Sequence, residues 1–103
     1  PMDGPDPAIA PLLPPFSVDL LARLPPGDRW SWHDGETGAY GRPDALLASP
    51  ALAGRFPSVR PSILRAGLGH DARRHAGHRY PGTGWHRPHA SDHALLAVAF
   101  PGL

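Results

Sequence analysis

The residues best suited to chemistry are Ser91, Asp92 and His93, which stand where a long polar stretch leads into the last apolar run, residues 94–100. A carboxylate at such a junction can bind a divalent cation or lie close to one. An imidazole beside it can hydrogen-bond a phosphate oxygen, or take a proton from water near neutral pH. The triplet is therefore typical of metal-assisted phosphoryl chemistry, and the alternative is a Ser or Asp that caps a turn.

Asp44 is the second candidate, because it follows Arg42 and Pro43 and immediately precedes the apolar run at 45–48. An Asp at the beginning of a strand can accept a hydrogen bond from a His on a neighbouring strand. Such a bond fixes the tautomer of the imidazole and raises its basicity. Taken alone, Asp44 also fits a simple turn residue after a proline.

Histidine and arginine are concentrated in residues 70–93, which contain six of the seven His and four Arg against two Asp. This segment could face an anion, or it could be a solvated loop. Two His-x-x-His motifs, at 75–78 and 86–89, have a spacing that on a helix would bring imidazoles together around Zn²⁺. Glycines and prolines within the segment argue against a helix, so a flexible His-rich loop is the other interpretation. Trp30, Trp32 and Trp85 could stack on nucleic-acid bases, although Trp30 and Trp32 also fit a packed core and Trp85 is left open between the two.

The elements that must position these residues are predicted to be short. Residues 1–15 include six Pro and predict an extended arm or linker rather than a regular element. The pattern from residue 16 onward then predicts the following order: a helix capped by Ser17 and stopped at Pro25, a strand at 28–33, a hairpin at 34–41, a buried strand at 45–48, a helix from Ser49 to Gly54, an edge strand at 58–66, a loop at 67–90 and a strand at 94–100. This order is typical of an α/β or α+β domain.

The composition excludes several classes of protein. With no Cys, the chain has neither a disulfide framework nor a thiolate metal site. We expect no membrane span, since no apolar run approaches roughly 18–20 residues, and no signal peptide. A net charge of +1 is no electrostatic footprint for nucleic acid, and 41% hydrophobic residues are too many for a disordered chain. The 103 residues predict one small domain and leave its compartment open, whether a bacterial cytoplasm or a secreted location.

Residues 16–100 resemble the C-terminal half of the endonuclease/exonuclease/phosphatase superfamily, which has the DNase I-like fold. The motifs that carry the resemblance are Arg29-Trp30-Ser31-Trp32, then Arg42-Pro43-Asp44 with its apolar run, then Ser49-Pro50-Ala51-Leu52, and finally Ser91-Asp92-His93. The sequence departs from the family pattern at Pro43, where an aliphatic residue is usual, and at Ser31, where Thr is usual. The resemblance implies that residues 16–103 form the C-terminal half of a four-layer α/β sandwich, with a mixed or antiparallel sheet, short helices and long loops.

The resemblance also implies a role for each site residue. Asp44 would orient His93, which would contact the scissile phosphate, and Asp92 would lie at the metal ion, Mg²⁺ or Mn²⁺, and at the attacking water. The family's metal-binding Glu and substrate-binding Asn belong to its N-terminal half, whereas here the one Glu is Glu36 and Asn is absent. The expected function is therefore the C-terminal portion of a divalent-metal-dependent phosphoesterase, a phosphodiesterase or nuclease-like hydrolase. It would require an N-terminal half, from the same precursor or a second chain, to act on a phosphodiester or phosphomonoester, nucleic acid included.

A non-catalytic function is the alternative. The fold fragment could persist as a module that binds an anion or a metal through the His- and Arg-rich loop at 67–90, with Zn²⁺ as the candidate metal.

Overall fold

Regular elements are short in this chain, as its 15 Pro and 12 Gly lead one to expect, because both residue types interrupt helices and strands. The structure is a computed structural model that describes residues 4–103. Within that range the longest elements have six residues. The helical segments are α1 (Pro50–Arg55) and the 3₁₀ helices Pro7–Leu12, Leu20–Arg23 and Pro26–Asp28. The strands are β1 (Val18–Asp19), β2 (Trp32–His33), β3 (Tyr40–Gly41), β4 (Leu47–Ala48), β5 (Ser62–Leu64) and β6 (Leu95–Ala97).

The strands form three two-stranded antiparallel sheets, which pair β1 with β4, β2 with β3, and β5 with β6. On its other side, β2 is bonded to the residues just before β6. Trp32 and His93 form an antiparallel bridge, and the Ala94 N–H donates to the Ser31 carbonyl at 2.7 Å. Backbone hydrogen bonds therefore connect β3 to β2, β2 to the residues just before β6, and β6 to β5, so His93 lies beside the hairpin. The described residues form a small mixed α+β domain, which confirms the predicted fold class at this level.

Two clusters of buried hydrophobic residues form the core, one under helix α1 and one under the long loop at 67–90. Their buried members are Leu20, Ala48 and Ala53 in the helix-side cluster, and Trp30, Leu68 and Ala72 in the loop-side cluster. A fully buried Leu side chain contributes roughly 1.5–3 kcal/mol. Burial of Leu68 therefore stabilises the packing of the loop against Trp30.

The helix predicted from a Ser17 cap is wrong in its start and type. Val18 and Asp19 instead pair with β4, and a 3₁₀ helix follows at Leu20–Arg23. Its cap is Asp19, whose side chain accepts a hydrogen bond from the Leu21 N–H at 3.1 Å. Only five residues remain between Asp19 and Pro25, too few for an α-helix that must compete with strand pairing.

Helix α1 begins where the sequence predicts. The Ser49 hydroxyl accepts a hydrogen bond from the Leu52 N–H at 3.1 Å, and Pro50 occupies the first turn. The predicted stop at Gly54 is wrong by a residue, because the helix runs to Arg55. Its last carbonyls are satisfied from outside by Arg23, whose guanidinium donates to Ala53 at 2.9 Å and to Phe56 at 2.8 Å.

The remaining strands are shorter than predicted. The strand expected at 28–33 is confined to β2, because Pro26–Asp28 curls into a 3₁₀ helix. β4 covers only the second half of the predicted 45–48 strand, and its Leu47 is 37% exposed rather than buried. β5 and β6 lie within the predicted ranges 58–66 and 94–100.

The N-terminal arm contains an element that the sequence does not predict. Residues 1–3 of the expected arm lie outside the described residues, whereas Pro7–Leu12 forms a 3₁₀ helix. Asp6 caps it by accepting from the Ala8 N–H at 2.9 Å, and its own N–H donates to the Pro43 carbonyl at 3.2 Å. The arm is therefore tied to the segment that leads into β4, while a domain boundary at residue 16 stays a prediction.

Arg65 connects the end of β5 to the loop-side cluster. Its guanidinium lies 4.0 Å from the centre of the Trp30 ring and donates to the carbonyls of Asp28 and Trp30, each at 2.8 Å. Burial lowers the pKa of Arg65, and the negative charge of Asp28 partly opposes this effect. Among the described residues, the Arg65 Nε atom is the buried side-chain nitrogen that finds no hydrogen-bond partner.

The loop at 67–90 contains neither helix nor strand, as predicted, yet it is internally bonded. Arg79 lies at its centre and donates to the carbonyls of Leu68, Gly69 and Ala72 at 3.3, 3.2 and 2.9 Å. Across residues 4–103, no helix has both the length and the apolar character to cross a membrane.

Candidate active site

Asp44 and His93, which are 49 positions apart in the sequence, are joined by a hydrogen bond. The His93 Nδ1 atom lies 2.8 Å from Oδ2 of Asp44. His93 reaches this position because it forms a bridge with Trp32 of β2, while Asp44 follows β3 across the hairpin. The pairing predicted for these two residues is therefore present in the fold.

Ser31 is the third member of this group, and the sequence shows it only as a departure from a family pattern. Its side chain is fully buried, and its hydroxyl donates to the same Asp44 Oδ2 atom at 2.7 Å. Its backbone N–H donates to Gly41 at 3.0 Å and its carbonyl accepts from Ala94. A small hydroxyl residue directly before Trp32, which bridges to His93, is the signal that could have identified it. The carboxylate of Asp44 is thus held by two donors from two different segments.

The hydrogen bond at Nδ1 determines which atom of His93 faces outward. Because Nδ1 contacts a carboxylate, we assign the ring proton to Nδ1, which leaves Nε2 with the free lone pair. The side chain of His93 is 44% exposed, so Nε2 can be approached from solvent. A neutral imidazole held in this way can accept a proton, and once protonated it can donate a hydrogen bond to an oxyanion.

Asp92 lies next to His93 but does not bond it. Its Oδ1 atom is 4.0 Å from His93 Nε2, and the side chain is 53% exposed. Its backbone carbonyl accepts from the His33 N–H at 3.2 Å, while the His93 N–H donates to the Ser91 hydroxyl at 3.0 Å. The Ser91-Asp92-His93 turn is thus anchored through its backbone, and the carboxylate of Asp92 is exposed beside the His93 ring.

A cleft of about 500 Å³ opens beside His93. Its lining includes Trp32, Pro43 and the arm residues 4–7. Arg42 also contributes to the lining, although it is buried and paired with the carboxylate of Asp19. The cleft therefore combines apolar walls with the imidazole of the Asp44–His93 pair.

A second His–Asp group ties the long loop to the hairpin, and the sequence does not predict it. Asp71 is 11% exposed; its Oδ2 atom accepts from His86 Nδ1 at 2.9 Å and lies 3.7 Å from Nδ1 of the buried His33. The loop approaches so closely that a Cβ atom on Gly35 would lie 2.2 Å from the His86 ring. A side chain at position 35 would therefore displace the His86 ring from its contact with Asp71.

The described residues do not by themselves form a metal site. Nowhere between residues 4 and 103 do three or more His, Asp or Glu side chains converge so as to hold an ion. Asp92 offers one exposed carboxylate, and an Mg²⁺ ion bound there would take its other ligands from water, substrate phosphate or groups outside these residues. In the His-x-x-His motifs the ring nitrogens contact backbone carbonyls instead: His75 Nε2 lies 2.8 Å from the His78 oxygen, and His89 Nδ1 contacts the His86 oxygen.

Comparison with known proteins yields no relative. No family model matches the sequence, and neither the curated proteins nor the solved structures contain a match.

Proposed function

We propose that the chain is the C-terminal portion of a divalent-metal-dependent phosphoesterase, a phosphodiesterase or nuclease-like hydrolase. The observation that carries this proposal is the 2.8 Å hydrogen bond between Asp44 and His93. It supports the proposal because it joins two motifs, Arg42-Pro43-Asp44 and Ser91-Asp92-His93, that resemble motifs of the endonuclease/exonuclease/phosphatase superfamily. In the finer proposal, residues 16–103 correspond to half of a DNase I-like sandwich.

The proposed chemistry assigns a role to each of the three polar residues. Asp44 keeps the ring proton of His93 on Nδ1, so that Nε2 faces the cleft. When protonated on Nε2, His93 would donate a hydrogen bond to a phosphoryl oxygen as negative charge develops there, and when neutral it would take a proton from the attacking water. Asp92 is the residue of this chain that would face the metal ion and the attacking water.

A complete site needs groups that these 103 residues do not supply. The single Glu, Glu36, lies in the hairpin turn, where its N–H donates to Asp34 at 3.0 Å, and the sequence contains no Asn. We therefore include in the proposal a second segment of the same fold, from the same precursor or another chain, that provides metal-binding Glu and substrate-binding Asn.

Arg79, His70 and His75 contact backbone carbonyls within the long loop, which favours the enzymatic proposal over a module that binds an anion or a metal through these three residues. Arg79 donates to three backbone carbonyls, and the ring nitrogens of His70 and His75 contact the carbonyls of Thr83 and His78. These groups stabilise the loop itself, so fewer of its cationic and imidazole groups remain for a ligand.

The proposal is tested by hydrolysis of bis(p-nitrophenyl) phosphate with Mg²⁺ or Mn²⁺. The protein is the product of the whole open reading frame that encodes these residues, compared with the 103-residue chain alone. We expect metal-dependent turnover by the longer product, and a loss of about 10²- to 10⁴-fold in His93→Ala, which removes the general acid–base group.

The matched control is His78→Ala. His78 is also an exposed histidine, but its ring contacts Tyr80 in the loop rather than the Asp44 group, so its rate should be unchanged. Absence of turnover with either ion, or an unchanged rate in His93→Ala, contradicts the proposed function.

A further inference from the structure

The long loop carries one large aromatic side chain that is not part of either core cluster. Trp85 is 58% exposed, whereas Leu68 and Ala72 of the same loop are fully buried. The guanidinium of Arg73 lies 4.8 Å from the centre of the Trp85 ring. An exposed indole beside a guanidinium forms a flat surface on which another planar group can stack.

The exposed part of the loop is rich in arginine. Arg73, Arg74 and Arg87 are exposed, and Arg74 is held over the Tyr40 ring at 4.8 Å while its N–H donates to the Tyr40 hydroxyl at 3.1 Å. The acidic residue of the loop, Asp71, faces inward to His86 and His33. The positive charges of the three exposed guanidinium groups are therefore not neutralised at the surface by Asp71.

The residue that follows Trp85 lies beside the Ser91-Asp92-His93 turn. The Asp71 N–H donates to the Trp85 carbonyl at 2.7 Å, and His86, the next residue, lines a small hollow together with Ser91 and Asp92. A chain-like ligand bound at Trp85 would therefore lie close to the candidate site.

We propose that this face, formed by Trp85, Arg73, Arg74 and Arg87, binds single-stranded nucleic acid. An unpaired base stacks on the indole of Trp85, and the arginines contact neighbouring phosphates. A single strand fits better than a duplex because the bases of a duplex are already stacked on one another. The inference rests on the proposed function and deepens it, since it names the substrate class of the same phosphoesterase.

The test is binding of a fluorescein-labelled oligothymidylate of about a dozen nucleotides, followed by anisotropy at low salt. Loss of one stacked base predicts that Trp85→Ala binds about 5- to 150-fold more weakly, while Trp85→Phe retains most of the affinity because it keeps an aromatic face. Contacts to three phosphates predict that the logarithm of the association constant falls with the logarithm of salt with a slope of about −2. Arg87→Ala should reduce the magnitude of that slope by about 0.7.

Arg55→Ala is the matched control. Arg55 is exposed and lies over an aromatic ring in the same way, 5.2 Å from the centre of Phe56, but it belongs to helix α1 and not to the loop at 67–90. Its removal should leave binding unchanged. If Trp85→Ala proves unfolded by circular dichroism, the Arg87→Ala salt slope and the Trp85→Phe affinity decide the question.

Each outcome bears on a different proposal. The inference is rejected if the oligothymidylate does not bind at low salt, if a duplex of equal length binds as tightly, or if Arg55→Ala weakens binding as much as Trp85→Ala. Hydrolysis of bis(p-nitrophenyl) phosphate without oligothymidylate binding rejects this inference and leaves the proposed function intact. Binding without hydrolysis keeps the nucleic-acid surface and rejects the phosphoesterase.

Discussion

One oxygen atom, Oδ2 of Asp44, accepts hydrogen bonds from both Ser31 and His93. Two donors on one oxygen restrict the rotation of the carboxylate, and the carboxylate in turn restricts the imidazole. A hydrogen bond to a charged group contributes about 1.5–3 kcal/mol. Ser31 therefore acts on the candidate chemistry through Asp44, as a positioning residue that touches no substrate.

Ser31→Ala is expected to lower kcat for bis(p-nitrophenyl) phosphate by about 10-fold with little change in KM, because the variant loosens His93 without altering the cleft walls. Ser31→Thr, which retains the hydroxyl, should restore most of the rate. Steady-state kinetics of the two variants in the metal-activated protein give the measurement. A change confined to KM, or a Thr variant as slow as the Ala variant, would show that Ser31 only supports packing.

Among the elements, the β2–β3 hairpin is closed by a charged turn. Asp34 accepts from the Thr37 hydroxyl at 2.7 Å and from the Glu36 N–H at 3.0 Å. These bonds, the Thr37 hydroxyl first and the Glu36 N–H next, lower the pKa of the Asp34 carboxyl below its ordinary 3.8. The folded hairpin is thus more stable when Asp34 is ionised than when it is protonated.

The lowered pKa of Asp34 predicts the pH dependence of its contribution to stability. A carboxyl whose pKa is depressed on folding adds stability that is present above 3.8 and is lost as the pH falls through the lower, folded value. Asp34→Asn should therefore unfold more readily than the parent at pH 7, and the difference should shrink as the pH drops below 3.8. Urea denaturation of both proteins across that range measures it. If the difference in unfolding free energy between Asp34→Asn and the parent stays constant with pH, the substitution acts through side-chain geometry rather than through charge.

Local signals predicted the elements that depend on neighbouring residues alone. Ser49 and Pro50 begin α1 because a cap and a fixed φ act within one turn. Ser17 has the same local appearance, but the residues after it pair with β4, thirty positions away, and that pairing decides their conformation. The strand at 28–33 is shortened for the converse reason, since the Pro26 turn is local and overrides its aromatic pattern.

The candidate site could be predicted only for residues that belong to motifs whose order along the chain resembles a family pattern. Asp44 and His93 were paired on that basis, and their contact is present in the fold. Ser31 and the Asp71–His86 contact were missed because each depends on how two segments without a common motif approach one another. A single carboxylate in a His-rich loop gives no sign in the sequence that it faces inward.

At the scale of the whole molecule, the loop at 67–90 is the segment whose order depends least on regular structure. Its packing comes from burial of Leu68 and Ala72 under Trp30, and its shape from Arg79. Because Arg79 donates to three carbonyls with a planar, forked group, a lysine cannot replace all of its hydrogen bonds. The loop should therefore open more often when only the charge at this position is kept.

Arg79→Lys is expected to raise the open population of the loop by about 30-fold, which corresponds to a loss of about 2 kcal/mol of hydrogen bonding. Limited trypsin digestion measures this opening, because the exposed Arg73 and Arg74 offer cleavage sites and the substitution adds no basic residue. When reclosing is faster than cleavage, the digestion rate follows the open population. Arg87→Lys is the control, since Arg87 is exposed in the same loop and its replacement should leave cleavage at Arg73 and Arg74 unchanged. Equal cleavage of the two variants would mean that Leu68 and Ala72 hold the loop without Arg79, and the folded loop would then be a consequence of core packing alone.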